Sequence, residues 1–189
     1  MKTITMLAVI VLAYSLTLGV CAAQTGAGAE SFDFLLLDAN ARAVALSGAY
    51  TALATDSNAL LYNPAGLSRL RNNEATFMHS QYVEGLTQEY MGFASRQGWG
   101  LNLNYLNFGG IARTTLSQKE GTGDSFGISD MALGAGYAYN PSDSFSMGAG
   151  VKYIRETIDN VAANGYAFDL GALYFFDVVR GLSSGVAVQ

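Results

Sequence analysis

The stretch Met131-Ala132-Leu133-Gly134-Ala135-Gly136-Tyr137-Ala138-Tyr139 alternates bulky and small side chains, with Ala135 the one small residue at a bulky position. In a strand, successive side chains point to opposite faces, so Met131, Leu133, Ala135, Tyr137 and Tyr139 share one face and Ala132, Gly134, Gly136 and Ala138 the other. The pattern returns downstream, where Phe145, Met147, Ala149, Val151 and Tyr153 oppose Ser146, Gly148, Gly150 and Lys152. It returns again where Tyr166, Phe168, Leu170, Ala172, Tyr174 and Phe176 oppose Ala167, Asp169 and Gly171, with Leu173 and Phe175 making the upper part apolar on both sides. In a soluble barrel the polar face points outward and is rich in charge. Here the minor face is mostly glycine, alanine and serine, which suits a crowded interior.

Working outward from this stretch, the spacing predicts strands at 75–82, 88–95, 98–108, 129–139, 145–156 and 165–176, and a seventh beginning near Leu182. Several reach the roughly 9 to 11 residues that a tilted strand needs to cross a bilayer. The connections Arg96-Gln97 and Asn140-Pro141-Ser142-Asp143-Ser144 are short, whereas 109–128 and 157–164 read as long loops. Alternation of tight turns and larger loops is expected of an up-and-down outer-membrane barrel, and lipid favours closure because it offers no partner to an open sheet edge. The fold class expected is all-β, an antiparallel transmembrane β-barrel. A soluble sandwich or a lipocalin-like barrel is the alternative, since their strands alternate too.

Composition agrees with this reading. Half of the 189 residues are hydrophobic and only 13% are charged, with 22 glycines and 12% aromatics. After the N-terminus no apolar run approaches the roughly 18 to 20 residues of a spanning helix. The net charge of −5 leaves no basic surface to neutralise phosphates, so nucleic acid is not an expected partner.

The first residues carry a basic start at Lys2, an apolar core from Ile4 to Val20 and the small residues Cys21, Ala22 and Ala23. This is the layout of a secretory signal peptide over residues 1–23, with a membrane anchor or lipidation at Cys21 as alternatives. Residues 24–72 form a second region, with Leu35-Leu36-Leu37, an alanine-rich stretch over 41–54, and the turn-prone Asp56-Ser57-Asn58. One or two short helices are expected there. Asn63-Pro64-Ala65-Gly66 should end the helical segment and redirect the chain, Asn-Pro as turn initiator and Gly66 through its access to positive φ. Such a small-residue segment is suited to pack inside a barrel as a plug; a periplasmic extension without a gating role is equally compatible. Residues 73–189 are the strand region.

Little else in the sequence suggests chemistry. His79 and Ser80 are adjacent, but neighbours on a strand face opposite ways, which separates a serine nucleophile from its base. One histidine and one cysteine, the latter inside the signal segment, give no metal set. Gly121-Thr122-Gly123-Asp124 lacks the Gly-Lys-Ser/Thr of a phosphate loop and reads as a mobile outer loop. No catalytic residue, cofactor or metal is expected, and the chain is read as a non-enzyme.

Three blocks carry a resemblance: Phe34-Leu35-Leu36-Leu37-Asp38-Ala39-Asn40-Ala41-Arg42-Ala43, then Ser47-Gly48-Ala49-Tyr50-Thr51-Ala52-Leu53, then Ala59-Leu60-Leu61-Tyr62-Asn63-Pro64-Ala65-Gly66-Leu67. Together they resemble the PorV/PorQ family among the FadL-like outer-membrane proteins. The resemblance implies a 14-stranded barrel with an N-terminal hatch, of which about seven strands are visible here. Asn63, Pro64, Ala65 and Gly66 match the hatch-associated motif. It further implies location in the bacterial outer membrane, with lipid as surroundings, and either passage of a hydrophobic solute or a part in type IX protein secretion. An adaptor that holds secreted clients or secretion-system components through its outer loops is the other expectation. The sequence closes on Gly185-Val186-Ala187-Val188-Gln189, where such relatives continue, so a truncated frame is expected.

Overall fold

The computed structural model describes residues 32–179 and 181–189, of which those from Phe34 onward form one compact unit. The expected signal segment lies outside the described residues. Among the described residues seven strands follow one another in a single antiparallel sheet of order β1 to β7, curved into a half-barrel. They are β1 (Glu74–Gln81), β2 (Thr87–Ala94), β3 (Trp99–Ala112), β4 (Ser125–Ser142), β5 (Phe145–Ile158), β6 (Val161–Phe175) and β7 (Ser183–Val188). Each of the seven overlaps a segment expected from alternation, with β3, β4, β5 and β6 longer than expected. Among the described residues no helix is long and apolar enough to cross a membrane, which leaves crossing by strands untouched.

The connections correct the sequence reading in three places: β3 runs on to Ala112 and β4 begins at Ser125, so the loop expected over 109–128 spans only 113–124; β4 continues to Ser142, so the turn expected over 140–144 is only 143–144; and the third lies between β5 and β6. Residues 157–164 are not a long loop: β5 and β6 continue through them, pairing Thr157 with Ala162 and Ile158 with Val161 across a turn at residues 159–160. Asp159 takes φ 56° there, a conformation that short polar side chains tolerate. The polar composition that suggested a loop belongs to a hairpin whose residues 158–164 are exposed. Long and short connections therefore do not alternate strictly, although residues 113–124 do form a long loop and residues 143–144 a tight turn.

The region before the sheet is short helical pieces joined by turns. α1 (Ala41–Ala45) starts on Asn40, whose side chain accepts from the amides of Arg42 and Ala43. The rest of the alanine-rich stretch is turns rather than one helix, because Ser47 and Gly48 both take positive φ and stop α1. α2 (Ala59–Tyr62) ends at Asn63, and a 3-10 turn over Pro64–Arg69 follows directly. The motif thus ends one helical piece and opens another.

The register sorts the outward face into rows. Phe77, Met91, Leu103, Leu133, Tyr153 and Tyr166 stand side by side across β1 to β6. The next row holds Ala75, Phe93, Leu101, Ala135, Val151 and Phe168, and further rows of Trp99, Tyr137, Ala149, Leu170 and Val188, then Tyr139, Met147, Ala172 and Val186, complete an apolar belt. On its other side the belt stops abruptly. The row His79, Glu89, Tyr105, Met131, Arg155 and Asn164 brings in charge, and the row beyond it, Gln81, Thr87, Asn107, Ser129, Thr157 and Ala162, is almost wholly polar.

Candidate functional site

The concave face carries the opposite side chains, and the helical region packs against it at the end of the short turns. Contact is made over glycines. A Cβ on Gly100 would lie 2.8 Å from Leu67, one on Gly148 2.6 Å from the Pro64 carbonyl oxygen, and one on Gly171 2.9 Å from Pro64 Cδ. Gly92, Gly136 and Gly185 would meet Ser57, Leu60 and Thr51 in the same way. Each strand from β2 to β7 thus contributes one glycine to a footprint on which this helical region sits, named the hatch below for its position alone, and any side chain there would lift it from the wall.

Within the hatch the four motif residues have separate tasks. Asn63 is fully buried, and its side-chain amide donates to the carbonyl of Thr51 at 3.0 Å and to Ala172 of β6 at 3.1 Å. A longer bond, 3.5 Å, reaches Val186 of β7, while Asn63 Oδ1 accepts from Ala65 N at 3.1 Å. Pro64 occupies the first position of the 3-10 turn, where its fixed φ fits and no amide is wanted. Ala65 is fully buried. Gly66 does not serve through positive φ, as the sequence reading had it: a Cβ there would drive into the backbone carbonyl of Ala54, so glycine is required by close approach.

Polar side chains tie the hatch at both ends. Tyr62 Oη donates to Asp38 at 3.0 Å and Tyr50 Oη to Asp56 at 2.5 Å, while the Arg42 guanidinium stands over the Tyr50 ring at 5.5 Å. The two tyrosine rings meet edge to face at 5.1 Å. Burial, reinforced by Asp56, pushes the Tyr50 phenol up to about 12, and burial with Asp38 raises Tyr62 as well. At the far end Arg69 donates to Ser146 Oγ at 2.5 Å and to the Asp143 carbonyl at 2.6 Å, and lies 4.5 Å from the Phe175 ring. Burial lowers the pKa of that guanidinium. Asn140 donates to the Ser68 carbonyl at 2.9 Å, and the hydroxyls of Ser57 and Thr76 share a hydrogen bond to β1. The sequence reading named the motif but not Asp38, Tyr50, Tyr62 or Arg69 in these roles; tyrosines amid an alanine-rich stretch were the available signal.

His79 and Ser80 lie on opposite faces of β1. His79 faces outward and meets Glu89 at 2.6 Å, an exposed rim pair. Ser80 faces the concave side, so the two do not form a nucleophile and base. Residues 121–124 sit in the loop between β3 and β4, whose base is held by Arg113, 2.5 Å from Asp159.

These features define a class: an all-β half-barrel with an apolar outward face, a small-residue concave face and short helical pieces seated on its glycines. The chain belongs to the Uncharacterised protein family (UPF0164), whose model matches residues 6–128. The match covers the hatch, β1 to β3 and the first residues of β4. No curated protein matches the chain.

Proposed function

We propose that this chain is a FadL-like outer-membrane barrel of the PorV/PorQ type, acting in transport of hydrophobic compounds or in type IX protein secretion. In this reading the seven strands are half of a 14-stranded barrel and the hatch governs a narrow lumen. The observation that carries it is the inversion of the faces. The side turned away from the hatch is a continuous belt of Phe, Tyr, Leu, Val and Met that becomes polar along the single line from His79 to Asn164. From Phe145 to Tyr153 the belt runs about 27 Å along β5, or about 20 Å across a bilayer at the usual tilt, close to the apolar band of outer-membrane barrels. A water-facing sheet has no use for such a belt, whereas lipid is its natural solvent. No catalytic role is assigned to His79, Ser80 or any other residue.

The test is expression of the full chain in a Gram-negative host lacking its own long-chain fatty-acid porin. Recovery as a heat-modifiable outer-membrane protein, with uptake of labelled long-chain fatty acid or amphiphile, supports the transporter. A soluble, folded product refutes the membrane assignment and leaves the lipocalin-like alternative.

A second reading, a non-transporting adaptor that holds secreted clients or secretion-system components, is favoured by the loop over 113–124. It is a bonded platform, with backbone pairing of Arg113 to Asp124 and to Thr122 and the Arg113 guanidinium 5.6 Å from the Phe126 ring. Client capture without solute uptake distinguishes it.

A further inference from the structure

The apolar belt is not smooth. Ala135 of β4 stands between Leu101 and Val151, and Ala149 of β5 between Tyr137 and Leu170, so two small residues on adjacent strands are set among large ones. A furrow results. A hollow of about 420 Å³ lies over the two alanines, walled by Tyr137, Val151, Phe168 and Leu170. A second, of about 390 Å³, shares Ala135, Val151 and Phe168 with it and continues to Tyr153 and Tyr166, whose rings stand 5.5 Å apart.

At the end of the short turns the furrow meets a cleft of different character. Tyr137 borders both; the cleft, of about 250 Å³, is lined further by Ser68, Arg96, Gln97, Tyr139 and Asn140. Gly98 also lines it, at φ 87°, where a Cβ would lie 2.5 Å from the Ala138 carbonyl oxygen, so the cleft needs glycine at this position. Arg96 supplies the one charge. Its backbone amide is held by Asn73 at 3.0 Å, while its guanidinium enters no ion pair among the described residues. No acid is among the described lining residues. Trp99, Tyr137 and Tyr139, all exposed, stand at this end of the belt as aromatic girdles stand at the interfaces of membrane barrels. A guanidinium at such a border matches a phosphate, and the furrow beside it matches an acyl chain.

We propose that cleft and furrow together hold one glycerophospholipid of the leaflet at the short-turn end, its phosphate on Arg96 and one acyl chain laid over Ala149 and Ala135. The inference rests on the membrane reading and adds a lipid site on the outside of the barrel, separate from any lumen.

The experiment measures binding of dimyristoyl-phosphatidylglycerol and of dimyristoylglycerol, which has the same chains and no phosphate, to the delipidated full chain folded in non-ionic detergent. The phospholipid should bind at least about tenfold more tightly, the factor expected from one charge-assisted hydrogen bond. Arg96→Gln should remove that advantage and leave dimyristoylglycerol binding unchanged. Ala149→Leu, which fills the furrow from the lipid side, should weaken both. Arg155→Gln, an exposed arginine at the opposite border of the belt, should change neither, which excludes general attraction to basic residues. Equal binding of the two lipids, indifference to Ala149→Leu, or a loss in Arg155→Gln equal to that in Arg96→Gln overturns the proposal. So does a lipid-free dimer that Ala149→Leu dissociates, since the furrow then belongs to a second copy. In each of these cases a heat-modifiable chain keeps the membrane reading in place, whereas a soluble, folded chain that takes up no detergent overturns both.

Discussion

Asn63 and Ala172, 109 positions apart in the chain, are joined by a 3.1 Å hydrogen bond from the asparagine amide to a carbonyl of β6. With the companion bonds to Thr51 and Val186, one side chain fastens the hatch to two strands and to its own preceding turn. Asn63→Ala should leave buried carbonyls unpaired and cost about 2–4 kcal/mol. In limited proteolysis, residues 41–69 should become cleavable while the strands stay protected. Asn63→Asp keeps the acceptor for Ala65 N and loses every donor, so it should resemble the alanine variant.

The glycine footprint predicts a graded series. Gly148→Ala places a methyl against the Pro64–Ala65 peptide and should destabilise hatch seating by about 1–3 kcal/mol. Gly121→Ala, in the open loop, has nothing within 4 Å to strike and should leave the hatch intact, at the cost only of its positive φ. Equal protease sensitivity in the two variants would contradict the seating described.

The apolar belt can be probed by charge. Val151→Arg, in the row of Phe93 and Phe168 within the belt, should impair membrane assembly by about 2–4 kcal/mol. Met131→Arg, two rows outward beside the native Arg155, should be tolerated. Heat-modifiability in the membrane fraction reads both. Equal tolerance of the two arginines would argue against lipid on this face.

Alkali should loosen the hatch before the strands. Tyr50 is raised to about 12 from an ordinary 10, so the folded state holds its proton more tightly than the unfolded chain does. The stability this contributes is complete below pH 10 and is lost as pH rises toward 12. Protease access to residues 41–62 should therefore increase over that interval. Tyr50→Phe, which has no proton to lose, should flatten the dependence, leaving a remainder from Tyr62.

His79→Ala should have little effect. The pair with Glu89 is exposed, and such pairs are worth about 0–1 kcal/mol. A hydrolytic activity abolished by this change, or by Ser80→Ala, would revive an enzymatic reading that the opposed faces of β1 disfavour.

The strands were legible because a period of two survives wherever one face meets an apolar phase and the other is crowded, as in Met131 to Tyr139. Legibility failed at 157–164, where both faces of the hairpin are exposed and Thr157, Asp159 and Asn160 look like a loop. The motif Asn63 to Gly66 stood out by composition, but its partners did not. Gly148 and Gly171 are indistinguishable in sequence from glycines that merely fill the wall, since their importance arises from a segment about 80 or more residues earlier. Gly66 was misread for a related reason: close approach to Ala54 and a left-handed turn select the same residue type.

The sheet also has a parity. Seven strands, each antiparallel to the last, leave β1 and β7 running in the same direction. A second copy turned about the barrel axis would set like-directed strands against each other at both seams. An antiparallel cylinder built on this unit therefore needs a complement with an odd number of strands, one that is not its own rotated image.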